Sequence, residues 1–280
     1  MQTVDEILGH LGVEGYCIIE EVIPPEKVGG IRDSVFGSHK TQAEEADAKA
    51  DKVRGQGHRI GATGVRGVVG LLNLDQSFAP YLADERIVGA AEELFGQFVR
   101  ITNVNALVNY PKNDRGYWHA DWPFNQTNAS HLPAPYADSV LKLSSIWMLT
   151  EFSPRTGGTL VIPGSHRTRT NPSGGDIHDR EAPHPSEMQI SGAAGSVMLF
   201  DSRLWHSVTT NRSDEPRVAM NVGYAPWWLN MQPTVEGSPD FQRMVVETNG
   251  KPTVFPPVER SVYDNLPEAV KPLLRQLALP

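Results

Sequence analysis

Tyr117-Trp118-His119-Ala120-Asp121-Trp122, read with Leu204-Trp205-His206 and with Arg217 eleven residues further on, is the part of the sequence that decides the fold. On an extended strand, side chains at i and i+2 share a face about 7 Å apart at Cα. His119 and Asp121 therefore offer an imidazole and a carboxylate to one ion. His206 lies 87 residues beyond His119, so only a fold that brings distant strands together can add its imidazole to the pair.

The sequence around these residues supplies such strands. Residues 98–110, 140–150, 159–162, 196–200 and 217–224 are rich in Val, Ile, Leu, Thr and aromatic residues and are separated by Gly, Pro, Asn and Ser turns, which reads as a sandwich or barrel. The expectation is a mainly β protein with flanking helices. Residues 122–139 and 165–190 are too long for ordinary connections, and they are expected to roof the site. Upstream, Thr3 caps an amphipathic helix carrying Val4, Ile7, Leu8 and Leu11, a strand follows at 15–23, and Pro24-Pro25 opens a second helix. Residues 38–58 read as a solvated helix or connector. Gly61, Gly64, Gly67 and Gly70 lack a Gly-Lys-Ser/Thr ending and are expected to form a flexible turn. Residues 76–95 hold one or two helices. The last fifty residues, with Phe241, Met244, Val245 and 266–279, read as two short helices packed outside. The chain is thus expected to be a single domain over 1–280, with a mostly helical part at 1–96, a β core at 97–226 and a helical extension at 227–280.

With 280 residues, 39% of them hydrophobic, the chain can bury a sizeable core. Its 25 basic and 33 acidic residues give a net charge of -8 without a basic stripe, so neither nucleic acid nor an anionic membrane is an expected partner. Cys17 is the only cysteine, which excludes an intramolecular disulfide and a cysteine-based metal site. No leader pattern or long apolar span is present, and a cytoplasmic location is the simplest expectation. No surface stripe marks an oligomer interface.

Alone, a His-x-Asp pair is more often an exposed face or a hydrogen-bonded pair than a metal site. Together with His206 it makes a 2-His-1-carboxylate set, the open-faced arrangement of non-haem Fe(II) oxygenases. If residues 204–217 form a hairpin with 210 opposite 217, Arg217 faces the same side as His206 at about 13 Å. An extended arginine covers roughly half of that distance, and a chelating five-carbon dicarboxylate such as 2-oxoglutarate covers the remainder. A bland alternative for Arg217 is an ion pair with Asp214 or Glu215.

Trp118-His119-Ala120-Asp121, the run Thr156-Gly-Gly-Thr-Leu-Val-Ile-Pro-Gly-Ser-His166, Trp205-His206 and Asn211-Arg-Ser-x3-Arg217 together resemble the phytanoyl-CoA dioxygenase family of Fe(II)/2-oxoglutarate oxygenases, in order and spacing, over about residues 12–226. The resemblance implies a double-stranded β-helix (a jelly-roll, cupin-like core). It also implies His119, Asp121 and His206 as iron ligands and Arg217 as the anchor of 2-oxoglutarate, with O2 as the other cosubstrate. Asn105, Asn109 and Ser144 match positions from which family members contact the cosubstrate. Val208 replaces the family's small hydroxyl after the second histidine, and Thr210 is a substitute of the same strand parity. Halogenating relatives lose the carboxylate, so Asp121 implies hydroxylation of a small-molecule substrate, releasing succinate and CO2. The competing class is a cupin-like binding or sensor protein that holds a metal without redox chemistry.

Most of the remaining histidines, His10, His39, His58, His131, His166, His178 and His184, are expected at surfaces and turns, with His166 bracing its loop. Trp122, Trp147, Trp227 and Trp228 are expected to pack in the core. Arg155, Arg167, Arg169, His178 and His184 hint at a polar or anionic substrate, although such loop residues are commonly just solvated. No Gly-x-Ser-x-Gly is present, which removes a serine-hydrolase reading.

Overall fold

The computed structural model describes residues 2–55, 62–121, 135, 137–170, 172, 179–229, 237–249 and 256–278. Trp122, His58, His131, His178, Gly61 and the expected roof residues 122–134 and 173–178 lie outside the described residues.

Among the described residues nine strands form two antiparallel sheets. The larger has the order β1-β7-β4-β9-β3-β2, built from β1 (Tyr16–Ile19), β2 (Val65–Val68), β3 (Val99–Asn109), β4 (Leu143–Met148), β7 (Val197–Asp201) and β9 (Arg217–Pro226). The smaller has the order β6-β5-β8, from β5 (Leu160–Val161), β6 (Met188–Gln189) and β8 (His206–Ser207).

Strand parity divides the core in two. Cys17, Ile19, Val104, Ala106, Val108, Trp147, Val197, Leu199, Val218, Met220 and Val222 face the helices. Their alternates, Tyr16, Ile146, Met148, Met198, Phe200 and Ala219, face the small sheet, where Phe152, Val161 and Ile190 join them. Because the central strands are buried on both faces, they read as near-continuous apolar runs. A bulge between Ile101 and Asn103 in β3 resets the alternation, so that Asn103, Asn105 and Asn109 turn toward the inner face.

The helix layer starts with α1 (Val4–Val13), closed by a capping box in which Thr3 and Glu6 bond reciprocally, as the sequence requires. Next come α2 (Pro25–Thr41) with proline in its first turn, α3 (Ala43–Gly55) and α4 (Glu85–Phe95), capped by Asp84. Short C-terminal helices follow: α5 (Pro239–Phe241) running into a wide turn at Gln242–Val246, α6 (Arg260–Asp264) and α7 (Lys271–Leu274). Leu266, Val270, Leu273, Leu274 and Leu277 are buried in the helix-side core, while Met244 and Val246 stay exposed. Among the described residues no helix is long and apolar enough to cross a membrane.

Four expectations are corrected. The glycine-rich stretch is not simply a turn: Val65–Val68 is an edge strand paired with Ala106–Asn109, and of its described glycines Gly64 and Gly70 use the left-handed backbone that glycine tolerates. The strand after α1 is shorter than 15–23, ending at Ile19 where the chain turns at Glu21 with φ 52°. Trp227 and Trp228 are not core residues but more than half exposed, at the end of the sheet where β9 leaves it. Residues 204–217 do not form a hairpin, because β8 pairs with β5 in one sheet and β9 with β3 and β4 in the other.

Candidate metal and anion site

The segment carrying the His-x-Asp motif runs along the edge of the small sheet. His119 and His206 form an isolated antiparallel bridge, with His119 N–H donating to His206 C=O at 3.1 Å and His206 N–H to His119 C=O at 2.9 Å. This pairing, not sequence proximity, brings the residues together. The imidazole centroids lie 4.2 Å apart, and His206 Nε2 is 3.7 Å from Asp121 Oδ1. One potential ligand atom from each of His119, Asp121 and His206 falls within 4.8 Å of the others.

Each ring is oriented by its own strand. His119 Nδ1 lies 3.1 Å from the carbonyl of Tyr117, and His206 Nδ1 lies 2.9 Å from that of Leu204. A proton on Nδ1 satisfies each carbonyl and makes Nε2 the lone-pair nitrogen of the ring. Burial by itself raises the Asp121 carboxyl. The Lys142 ammonium, His206, His119 and a hydrogen bond from Ser144 outweigh it and hold the group well below the usual carboxylate range. Lys142 itself is buried and pushed down by desolvation, against the pull of Asp121. Lys142 is not among the residues that the motifs single out; its signal in the sequence is its parity with Ser144, Ile146 and Met148 on a strand otherwise free of charge.

Arg217 opens β9 directly opposite Asn109 of β3. The arginine is buried, its guanidinium carbon lies 4.1 Å from the centroid of the Phe152 ring, and neither Nε nor Nη1 has a hydrogen-bond partner. Desolvation pushes it down to about 9. Among the described residues no carboxylate pairs with it, so the bland alternative with Asp214 or Glu215 is not what the fold provides. Beside it, both Nδ2 and Oδ1 of the fully buried Asn109 lack a partner. Buried polar atoms rarely stay unsatisfied, and a cation beside an open amide is a ready receptor for a carboxylate.

Asn211 builds the crossing between the two sheets. Its N–H donates to Asn113 Oδ1 at 2.9 Å, and its Nδ2 donates to the carbonyls of Asn109 and Glu215 at 3.1 and 2.8 Å. Thr210 is half-buried, with its backbone packed close to Gly157, whose φ is 80°. Asn105 lies opposite Asn221 and accepts a 3.4 Å hydrogen bond from Gly70 N–H. Ser144 bonds Asp121 Oδ2 at 2.5 Å. Val208 sits half-buried, its carbonyl accepting from Gly116 N–H.

Outside the cluster, His166 is buried against Gly15, with Nε2 3.4 Å from the carbonyl of Gly12, so it braces the α1–β1 junction. Trp118 is buried. Its indole donates to Ala182 C=O at 3.0 Å and meets His184 edge-on, which ties the 179–187 segment to the metal-site strand. Arg155, Arg167 and Arg169 are exposed.

Two histidines and one carboxylate converge in a donor set that suits a mononuclear non-haem metal, and Arg217 is buried with no carboxylate partner among the described residues. The chain matches the family model described as phytanoyl-CoA dioxygenase (PhyH) over residues 12–219, and it belongs to that family. It is 30% identical over 238 residues to an ectoine dioxygenase of Nocardia farcinica, covering 76% of this chain and 74% of that protein. It is 29% identical over 180 residues to dioxygenase af480 of Aspergillus fumigatus, covering 64% of this chain and 53% of that protein. Among solved structures it is similar to HygX from Streptomyces hygroscopicus with nickel, 2-oxoglutarate and hygromycin B bound, with TM-score 0.57, 15% identity and coverage of 81% of this chain and 89% of that one. It is also similar to the epimerase SnoN in complex with Fe3+, alpha ketoglutarate and nogalamycin RO, with TM-score 0.54, 17% identity and coverage of 84% and 91%. At these identities the structural likeness is one of fold.

Proposed function

We propose that the protein is an Fe(II)- and 2-oxoglutarate-dependent oxygenase that hydroxylates a small organic molecule and releases succinate and CO2. His119, Asp121 and His206 are its metal ligands, and Arg217 is the anchor of the cosubstrate. The observation that carries this reading is a three-ligand cluster within 4.8 Å together with a buried guanidinium that has no counterion among the described residues. A bare metal-binding module has no use for such a cation. The donors fit the group: two neutral imidazoles and one carboxylate suit ferrous iron, and three side-chain ligands leave positions for a keto acid and O2. We read the two facing sheets as the halves of a double-stranded β-helix, and the chain as one oxygenase domain over 1–280.

The chemistry that iron, 2-oxoglutarate and O2 supply is the placing of one oxygen atom in substrate and the other in succinate, with loss of CO2. The protein's own residues orient and exclude. The hydrogen bonds from Nδ1 of both imidazoles fix the nitrogen each ring presents. Arg217, its guanidinium over the Phe152 ring, would offer its Nε and Nη1 hydrogens to the far carboxylate of the keto acid, and Asn109 would add an amide beside it. Ile146, Met148, Phe200 and Ala219 line the space between the sheets and keep water from it.

The relatives act on different molecules: one is named for ectoine, and two structural neighbours carry hygromycin B and a nogalamycin. The substrate is therefore to be sought among small metabolites by substrate-stimulated O2 uptake. The test of the reaction is succinate release that requires Fe(II), O2 and the stimulating compound. It should vanish in His119→Ala, and in Arg217→Ala it should return only with excess keto acid. Tight Zn2+ binding without any keto acid affinity under anaerobic Fe(II) would defeat the proposal.

A further inference from the structure

We infer that Ser144 is a positioning residue that commits Asp121 to hold its metal through Oδ1 alone. This rests on the metal-site reading above and deepens it. Ser144 lies on the inner face of β4 between Phe200 of β7 and Gly223 of β9. Its hydroxyl touches three groups: Lys142 Nζ at 3.0 Å, Ser202 Oγ at 2.9 Å and Asp121 Oδ2 at 2.5 Å.

The direction of every bond follows from counting hydrogens. An ammonium can only donate, so Lys142 gives a hydrogen to the Ser144 oxygen. An ionised carboxylate can only accept, so the single Ser144 proton goes to Asp121. Ser202 must then be the donor to Ser144. The hydroxyl accepts two hydrogens, donates one, and has no alternative orientation.

The surroundings lock this arrangement. Lys142 and Ser144 are buried, and Ser202 N–H donates to the Lys142 carbonyl at 3.1 Å. The Lys142 stem crosses Gly223, where a Cβ would come within 3.0 Å of Lys142 Cε and 2.6 Å of Asn103 Oδ1. With Oδ2 occupied by a short, charge-assisted hydrogen bond, the oxygen that faces His206 Nε2 at 3.7 Å is Oδ1. A carboxylate so restrained supplies one ligand atom instead of two, which keeps a coordination position open for the reactants.

The experiment titrates the metal-free full chain with Co2+ under anaerobic conditions, following the cobalt absorption bands, and then adds 2-oxoglutarate. Ser144→Ala is expected to weaken Co2+ binding about tenfold, the usual size of losing a hydrogen bond behind a metal ligand. It should also alter the band pattern as Oδ2 becomes available. Ser144→Thr, which keeps the hydroxyl, should restore both, and Ser202→Ala should shift affinity in the same direction by less. If Ser144→Ala melts like the wild type and binds Co2+ equally well with the same spectrum, the inference is wrong. If its Co2+ affinity is unchanged while 2-oxoglutarate binding is lost, Ser144 is a cosubstrate contact instead. Should His206→Ala bind Co2+ as tightly as the wild type, the metal-site reading itself fails, an outcome separable from the others.

Discussion

Arg217 holds a buried charge that no carboxylate among the described residues pairs with, and that makes its energetics unusual. Removing a cation already paired with a carboxylate destabilises a fold, but removing one buried without a partner relieves its desolvation penalty. Without ligand, Arg217→Met is expected to unfold at a higher temperature than the wild type, by the equivalent of about 1–4 kcal/mol. Adding 2-oxoglutarate with Co2+ should reverse the order, because only the wild type gains the charge-assisted pair, and the variant should lose about 2–5 kcal/mol of keto acid affinity. Thermal melts with and without ligand check both statements. A variant less stable than wild type in the absence of ligand would mean that the guanidinium is already satisfied.

Two elements carry predictions of their own. Gly158 lies just before β5, and a Cβ there would collide with the Ile190 carbonyl, the residue after β6. Gly158→Ala should push these strands apart and cost about 1–3 kcal/mol in denaturant unfolding. The same displacement should weaken metal binding, because β5 is the strand that holds β8 and its His206 in place. On the helix side, His39 of α2 is buried against Phe36 and Tyr110, with Nε2 3.2 Å from the Tyr110 hydroxyl. Burial, and then the Arg66 charge, push it below its ordinary 6.5, against a smaller pull from Asp47. A histidine depressed on folding favours the native state fully above the unfolded value and withdraws that support as pH falls through 6.5 toward the lowered value. Stability should therefore decline on the acid side, and His39→Leu should flatten that limb of the pH–stability curve. An unchanged limb would place the acid sensitivity elsewhere.

At the scale of the whole molecule, a metal at the cluster adds a cross-link between β8 and the segment carrying His119 and Asp121, which backbone hydrogen bonds at the His119–His206 bridge and from Gly116 to Val208 already join. An ion that binds only the folded chain stabilises it by about 2.7 kcal/mol at a hundred times its Kd. Co2+ should raise the melting temperature of the metal-free protein, chelation should reverse the gain, and His119→Ala should show neither effect.

The sequence by itself determined the local matters: the capped first helix, the proline-opened second, most of the strands, and the identity of the polar residues that stand out from them. These are written in propensity, capping chemistry and two-residue alternation, which act over a few positions. It also carried the family's motifs at their spacing. Only the tertiary structure decided which sheet each strand joined. It placed β8 and β9 on opposite layers, turned Val65–Val68 into an edge strand, and set Lys142 behind Ser144 and Asp121. The reason is physical: strand partners and buried charges are fixed by contacts between residues a hundred or more positions apart, as in the Asn109–Arg217 pair, and no local pattern encodes which distant backbone will offer its hydrogen bonds.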